Sequence, residues 1–289
     1  MVAAAAARRG VTDFFAKEAK RLGYVARSAL KLSEIHEKFK VVKPPHVLDL
    51  GCHPGAWLQV ACKALGPRDY PRGVGGGGVV YGVDLRETET DGMRFVDARV
   101  VTAQRDVFDI DETFFSSSSF SSESREGMAT RTRTRTPPPR SFTTVLSDMA
   151  PSTTGNAVTD AARSYELAEA AVRLALGDAA LDVLDDDDDD DVLDDEAASS
   201  SSSSTSSSGG DVAGGVVGDG DHRSDGDGRR DGVLRKGGNL VVKLLEGPGG
   251  GRRDLQTVVK PMFDKFQWYR PKATRRESSE VFLVARGRR

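Results

Sequence analysis

The sequence predicts an α/β domain: a mostly parallel, twisted sheet, doubly wound, with helices on both faces. Three observations predict it. Short apolar runs recur, each ending in or carrying an acid: Val47-Leu48-Asp49-Leu50, Val79-Val80-Tyr81-Gly82-Val83-Asp84 and Thr143-Thr144-Val145-Leu146-Ser147-Asp148. Near-continuous apolar runs of this length mark strands buried on both faces. Between them lie segments with apolar residues at helical spacing, Trp57 to Leu65 and Asp160 to Leu184. The first run breaks at Gly51 and again at Pro54-Gly55 before its helix starts, which is a strand, a glycine turn and a helix start.

In chain order, Met1 to Gly10 is alanine-rich with two arginines and has no long apolar core, so it is not a secretory signal. With residues 1–11 read as a flexible start, it places mitochondrion or plastid ahead of cytoplasm or nucleus as the compartment. Thr12 to Lys40 reads as helix broken at Gly23-Tyr24, with Lys17, Lys20, Arg21, Arg27 and Lys31 clustered about the break. That cluster is either a solvated face or a phosphate-contacting entry. The glycine run Gly73 to Gly78 lacks the Lys-Ser/Thr of a P-loop and is a spacer. Arg99 to Ala103 makes a weak third strand, followed by Arg105-Asp106-Val107. Leu240 to Leu245 is a strand with Lys243 in its middle, Asp254 to Phe266 a helix, and Ser279 to Ala285 a last strand containing Glu280. Two low-complexity insertions, 116–139 and 182–232, interrupt a single domain over 12–289.

Charge separates those parts. Asp182 to Asp231 holds seventeen acids against three arginines, a net of -14, so the total of -3 leaves +11 for the remainder. A basic folded part points to a polyanion such as nucleic acid as partner. If the acidic tract folds back on that face, deleting it should tighten RNA binding most at low salt. No apolar run nears the ~18 residues of a membrane span. Cys52 and Cys62 form no zinc or disulfide pattern and the four histidines are scattered, so no metal site is expected.

Chemistry concentrates in a few charged residues. A lysine inside an apolar strand, Lys243, needs a partner or a depressed pKa unless its side chain snorkels. Three further charged residues, Lys31, Asp148 and Glu280, stand in or beside the predicted helices and strands. Two lysines and two carboxylates converging on one rim would form a compensated network. Asp84, at the end of the second strand, stands where an acid commonly accepts hydrogen bonds from ribose hydroxyls.

In five ordered segments the chain resembles the FtsJ/RrmJ family of S-adenosylmethionine-dependent RNA ribose 2′-O-methyltransferases. They are Gly23-Tyr24-Val25-Ala26-Arg27-Ser28-Ala29-Leu30-Lys31-Leu32, Val47 to Trp57, Leu146-Ser147-Asp148-Met149-Ala150-Pro151, Gly237 to Lys243, and Arg270 to Arg275 with Ser279-Glu280-Val281. The resemblance implies a Rossmann-like class I methyltransferase fold and S-adenosyl-L-methionine as cofactor. It implies Lys31, Asp148, Lys243 and Glu280 as the catalytic tetrad. Cofactor contacts are implied at Gly55, Trp57, Asp84, Asp106 and Asp148, with Gly51 shaping the turn. Asp84 would take the ribose hydroxyls, Asp106 the adenine amino group, and Asp148 would lie beside the methyl. His53 stands where relatives usually carry a small residue. The expected partner is RNA, with ribosomal RNA or the large ribosomal subunit favoured and transfer RNA the alternative, bound by a monomer with no membrane. A ribosome-assembly factor that binds without catalysis competes with this, but has no need of Lys243 in a strand. A NAD-type dehydrogenase is ranked low, because Gly51 lacks the G-x-G-x-x-G spacing.

Overall fold

The computed structural model describes residues 14–66, 77–110, 114–115, 139, 141–182, 231–248 and 251–289. The expectations for residues 1–11 lie outside them, as do those for nearly all of both insertions.

Seven strands form one sheet. They are β1 (His46–Leu50), β2 (Val79–Asp84), β3 (Val100–Gln104), β4 (Phe142–Ser147), β5 (Leu234–Leu245), β6 (Phe263–Tyr269) and β7 (Glu280–Arg288), in the order β3-β2-β1-β4-β5-β7-β6. The first five pair in parallel, and β7 runs antiparallel to both β5 and β6. The order reverses between β1 and β4, so the crevice at their carboxyl ends is the switch point where ligands bind in open α/β sheets.

Alternation along β1 shows how the faces divide. Leu48 and Leu50 join one apolar cluster and Val47 the other. Helices α1 (14–22), α2 (Ser28–Phe39) and α3 (Ala56–Ala64) cover the second face. α4 (Ala157–Leu176) and α5 (Arg252–Val259) cover the first. α4 starts where Asn156 accepts the N–H groups of Val158 and Thr159, a side-chain cap of the usual kind. Its buried stripe, Ala161, Ser164, Ala168, Ala171, Val172 and Ala175, keeps to three- and four-residue spacing.

Two expectations need correction. The helix expected over Asp254 to Phe266 ends at Val259. Pro261 falls in a 3-10 turn, and Phe263–Tyr269 is strand β6. Leu255, Val258, Val259, Met262 and Phe266 imitate helical spacing, but proline removes a donor and the aromatics beyond it favour a pleated edge. The helix expected from Asp160 to Leu184 spans Ala157–Leu176, and Gly177 (φ 96°) terminates it. The break at Gly23 is present, with the next helix beginning at Ser28.

Candidate active site

The carboxyl ends of β1, β2 and β4 meet at the glycine turn. Gly51 and Cys52 both donate to the Val83 carbonyl, at 2.8 and 3.2 Å, so the turn is tied to β2. Gly51 has φ +75°, and a Cβ there would meet Met149 Cγ at 2.7 Å. Gly55 has φ +104° and caps α3, where a Cβ would meet the Met93 thioether at 2.9 Å. Neither position accepts a side chain without strain. No side chain caps α3, so its first N–H groups are free to receive an anionic group.

Asp84 is held ready at the end of β2. Its carboxylate accepts from the main-chain N–H groups of His53 and Arg86, each at 2.9 Å. Asp106, just past β3, caps a 3-10 turn by accepting from Phe108 N–H at 3.1 Å. The two acids lie on neighbouring strand ends, since Asp84 pairs with Gln104 and accepts Arg105 N–H on its carbonyl at 2.8 Å. His53 turns its Nδ1 to the Glu87 carbonyl, 3.1 Å away, on the loop after β2.

Trp57, expected as a cofactor contact, has its indole committed to the protein itself. Its indole is buried, donates to the Ser28 carbonyl at 3.0 Å and packs 5.8 Å from the Phe282 ring. What Trp57 can present to a ligand is its main-chain N–H in the first turn of α3.

The four charged residues lie together as two ion pairs, not as one continuous network. Lys31 Nζ sits 2.6 and 2.7 Å from the two oxygens of Glu280, both side chains under a tenth exposed. Thr274 Oγ1 adds a hydrogen bond to Glu280 at 3.3 Å. Lys243 Nζ donates to the Asp148 carbonyl at 2.5 Å and stands 3.0 Å from Asp148 Oδ1, off the line of a hydrogen bond. Phe282 joins the pairs: it faces Lys243 in the β5–β7 register, and the Lys31 ammonium lies 5.9 Å from its ring centre.

Two further residues belong here: Arg27, expected as one member of a basic cluster that is either a solvated face or a phosphate-contacting entry, and Asp49, given no role at the outset. Arg27 is half-buried at the start of α2 with Nη1 unpartnered. Its pKa is pushed down by burial first and by Arg275 second, against Glu280, Glu277 and Asp148, so it faces both pairs. Asp49 is wholly buried in β1 with neither carboxyl oxygen partnered. Burial, then Asp148 and Asp84, raise its pKa well above the ordinary carboxylate value. An acid inside an apolar strand was its only sequence signal.

Asp49 links stability to pH. The native state keeps a proton that the unfolded chain loses near pH 3.8, so this group makes stability fall as pH climbs from there toward the raised folded value. We expect Asp49→Asn, the neutral isostere, to flatten that slope. Thermal melting of both proteins across a pH series checks it, and parallel curves would refute it.

The FtsJ-like methyltransferase family model matches residues 24–192 and 229–288. A ribosomal RNA large subunit methyltransferase E from Desulfosudis oleivorans is 30% identical over 277 residues, 96% of this chain and 90% of the relative. One of the same name from Bdellovibrio bacteriovorus is 31% identical, with 94% of each chain covered. A solved Plasmodium falciparum protein described as a ribosomal RNA methyltransferase shares the fold at TM-score 0.51 and 17% identity, over 92% of this chain and 98% of that one.

Proposed function

This chain belongs to the FtsJ-like methyltransferase family, and we propose on that footing that it methylates a ribose 2′-hydroxyl of large-subunit ribosomal RNA from S-adenosylmethionine. The observation that carries the reading is the Lys243–Asp148 pair, set beside a glycine turn and the free N-terminus of α3.

The residues fit that cofactor. The two glycines keep the turn clear of side chains, and the α3 N–H groups suit the methionyl carboxylate. Asp84, fixed by two main-chain donors, keeps lone pairs for the ribose hydroxyls, and Asp106 is placed on the next strand end for the adenine amino group. When bound, the cofactor supplies a methyl carbon activated by its sulfonium.

The chain's own contribution is alignment and proton handling. A ribose hydroxyl is a poor nucleophile near neutral pH and gains from a positioned partner. We assign Lys243 to that hydroxyl, as base or as the donor that orients its lone pair. Asp148 fixes the lysine through its carbonyl and carboxylate. Glu280 holds Lys31, and that pair with Phe282 forms the wall against which Lys243 stands. Arg27, with an unused donor, is suited to a substrate phosphate near Arg275. Monomeric action is consistent with a last strand, β6, that carries lysine on its edge.

Asp84→Ala should weaken S-adenosylmethionine binding by about 10–100-fold, the loss of a charged hydrogen-bonding partner. Titration calorimetry measures this directly. Transfer of labelled methyl to ribosomal RNA should recover at high cofactor concentration, and a variant with unchanged cofactor affinity would remove Asp84 from the site.

A further inference from the structure

The outer edge of the sheet carries charge that the active site does not use. β6 is the last strand, so one side of its main chain has no strand partner among the described residues. A concavity of about 460 Å³ opens there, lined by four cations, Lys260, Lys265, Arg286 and Arg289, and by one acid, Asp264. Asp264 stands 3.3 Å from Arg289 and so offsets one of the four. Among the described residues, Lys260 and Lys265 have no ion pair.

Lys265 and Arg286 face each other in register across β6 and β7. Like charges placed so cost stability unless an anion spans them. Arg286 is further committed to this place: Nη1 donates to the Phe39 carbonyl at 3.1 Å, the guanidinium lies 5.5 Å from the Phe39 ring, and Nε is buried without a partner. Farther along β6 toward the active site, the Lys38 ammonium sits over the Tyr269 ring at 4.3 Å. Lys272 follows, its main chain tied to Glu34, and Arg275 then lies near Arg27. Positive charge thus recurs between the concavity and the catalytic pairs, interrupted by the Glu34 carboxylate, which accepts from the Tyr269 hydroxyl and the Lys272 main chain.

A lysine on an edge strand also keeps that edge from pairing with other chains, and this accounts for Lys265 alone. It does not account for an opposed cation pair beside a concavity with two further cations. We propose that this edge docks the sugar–phosphate backbone of the RNA substrate outside its target nucleotide. Arg286 stands six residues from Glu280 along β7, about 20 Å away at strand rise. The site therefore holds RNA well beyond the reacting ribose. The inference rests on the reading that RNA is the substrate.

The test is binding of labelled ribosomal RNA by fluorescence anisotropy across a salt series, with the full chain and Lys260→Ala/Lys265→Ala. Each lost phosphate contact lowers the slope of log affinity against log salt by about 0.7–0.9, so the double variant should lose roughly 1.5 in slope and bind more weakly at low salt. Its melting temperature should equal or exceed that of wild type, because Lys265 no longer opposes Arg286, and its S-adenosylmethionine affinity should match wild type. An unchanged slope and affinity overturns the proposal and leaves the cations as edge protection. Tighter binding overturns it too, and would mean that the cations hold this chain's own acidic tract. If wild type shows no salt-dependent RNA binding at all, the RNA reading itself fails, which is a different result from a variant that matches a binding wild type.

Discussion

Lys243→Ala should lower the single-turnover rate of methyl transfer by about 10²–10⁴-fold, the span that a positioned proton-handling group contributes. Cofactor affinity should stay near wild type, because no other residue assigned to the cofactor, Asp148 excepted, contacts the Lys243 ammonium. The fold should tolerate the change as well. Asp148 keeps 14% side-chain exposure, so its carboxylate, once the ammonium is gone, is reached by water. Lys243→Arg divides the two assigned roles. A guanidinium stays charged and cannot act as base, but it can donate to an oxygen lone pair. Partial activity in that variant would mark Lys243 as an orienting donor, and a rate as low as the alanine variant's would mark it as the base. Wild-type rates in Lys243→Ala would remove the lysine from the mechanism.

Glu280→Ala should be the most destabilising single change at the site. It strands the Lys31 ammonium, 7% exposed, with its bidentate partner gone. Breaking a buried pair in this way costs about 3–5 kcal/mol. At roughly 2–4 °C per kcal/mol for a domain of this size, the melting temperature should fall by about 6–20 °C. Replacing both partners by apolar groups of similar volume, Lys31→Met with Glu280→Leu, should restore much of that loss, since a buried pair adds little net stability over good packing. Activity should not return with it. Recovery of both would show that the pair serves the fold alone. A double variant as unstable as the single one would show that the pair is irreplaceable in packing.

What the sequence made legible follows from physics that acts locally. Val47–Leu50, Val79–Val83 and Thr143–Ser147 are apolar because both sheet faces are covered, and Asp84 and Asp148 follow at strand ends that keep some contact with solvent, whereas Asp49 lies buried inside its strand. Gly51 and Gly55 were readable because only glycine fits a positive φ so close to methionine side chains. The partners of the four charged residues were not readable from spacing. Lys31 and Glu280 lie 249 residues apart and meet only because β7 enters the sheet antiparallel beside β5. Family resemblance placed them, and the fold separates them into two pairs. β6 was misread because its apolar residues continue the rhythm of α5, with Pro261 as the overlooked stop. Asp49 was visible as a residue but not as an unpartnered one, since solvation depends on what the helices cover. The opposed Lys265–Arg286 pair depends on register, which a sequence with a misplaced strand cannot supply.

The central claim is tested most directly by the identity of the methylated atom. Ribosomal RNA, free and in isolated large subunits, is incubated with the purified chain and labelled S-adenosylmethionine, and the product is mapped by resistance to alkaline cleavage. A ribose 2′-O-methyl group blocks cleavage at its own phosphodiester, so the account predicts label at one alkali-resistant position, absent with Lys243→Ala. Label on a base, label that Lys243→Ala leaves in place, or no transfer to ribosomal RNA in either form would contradict it.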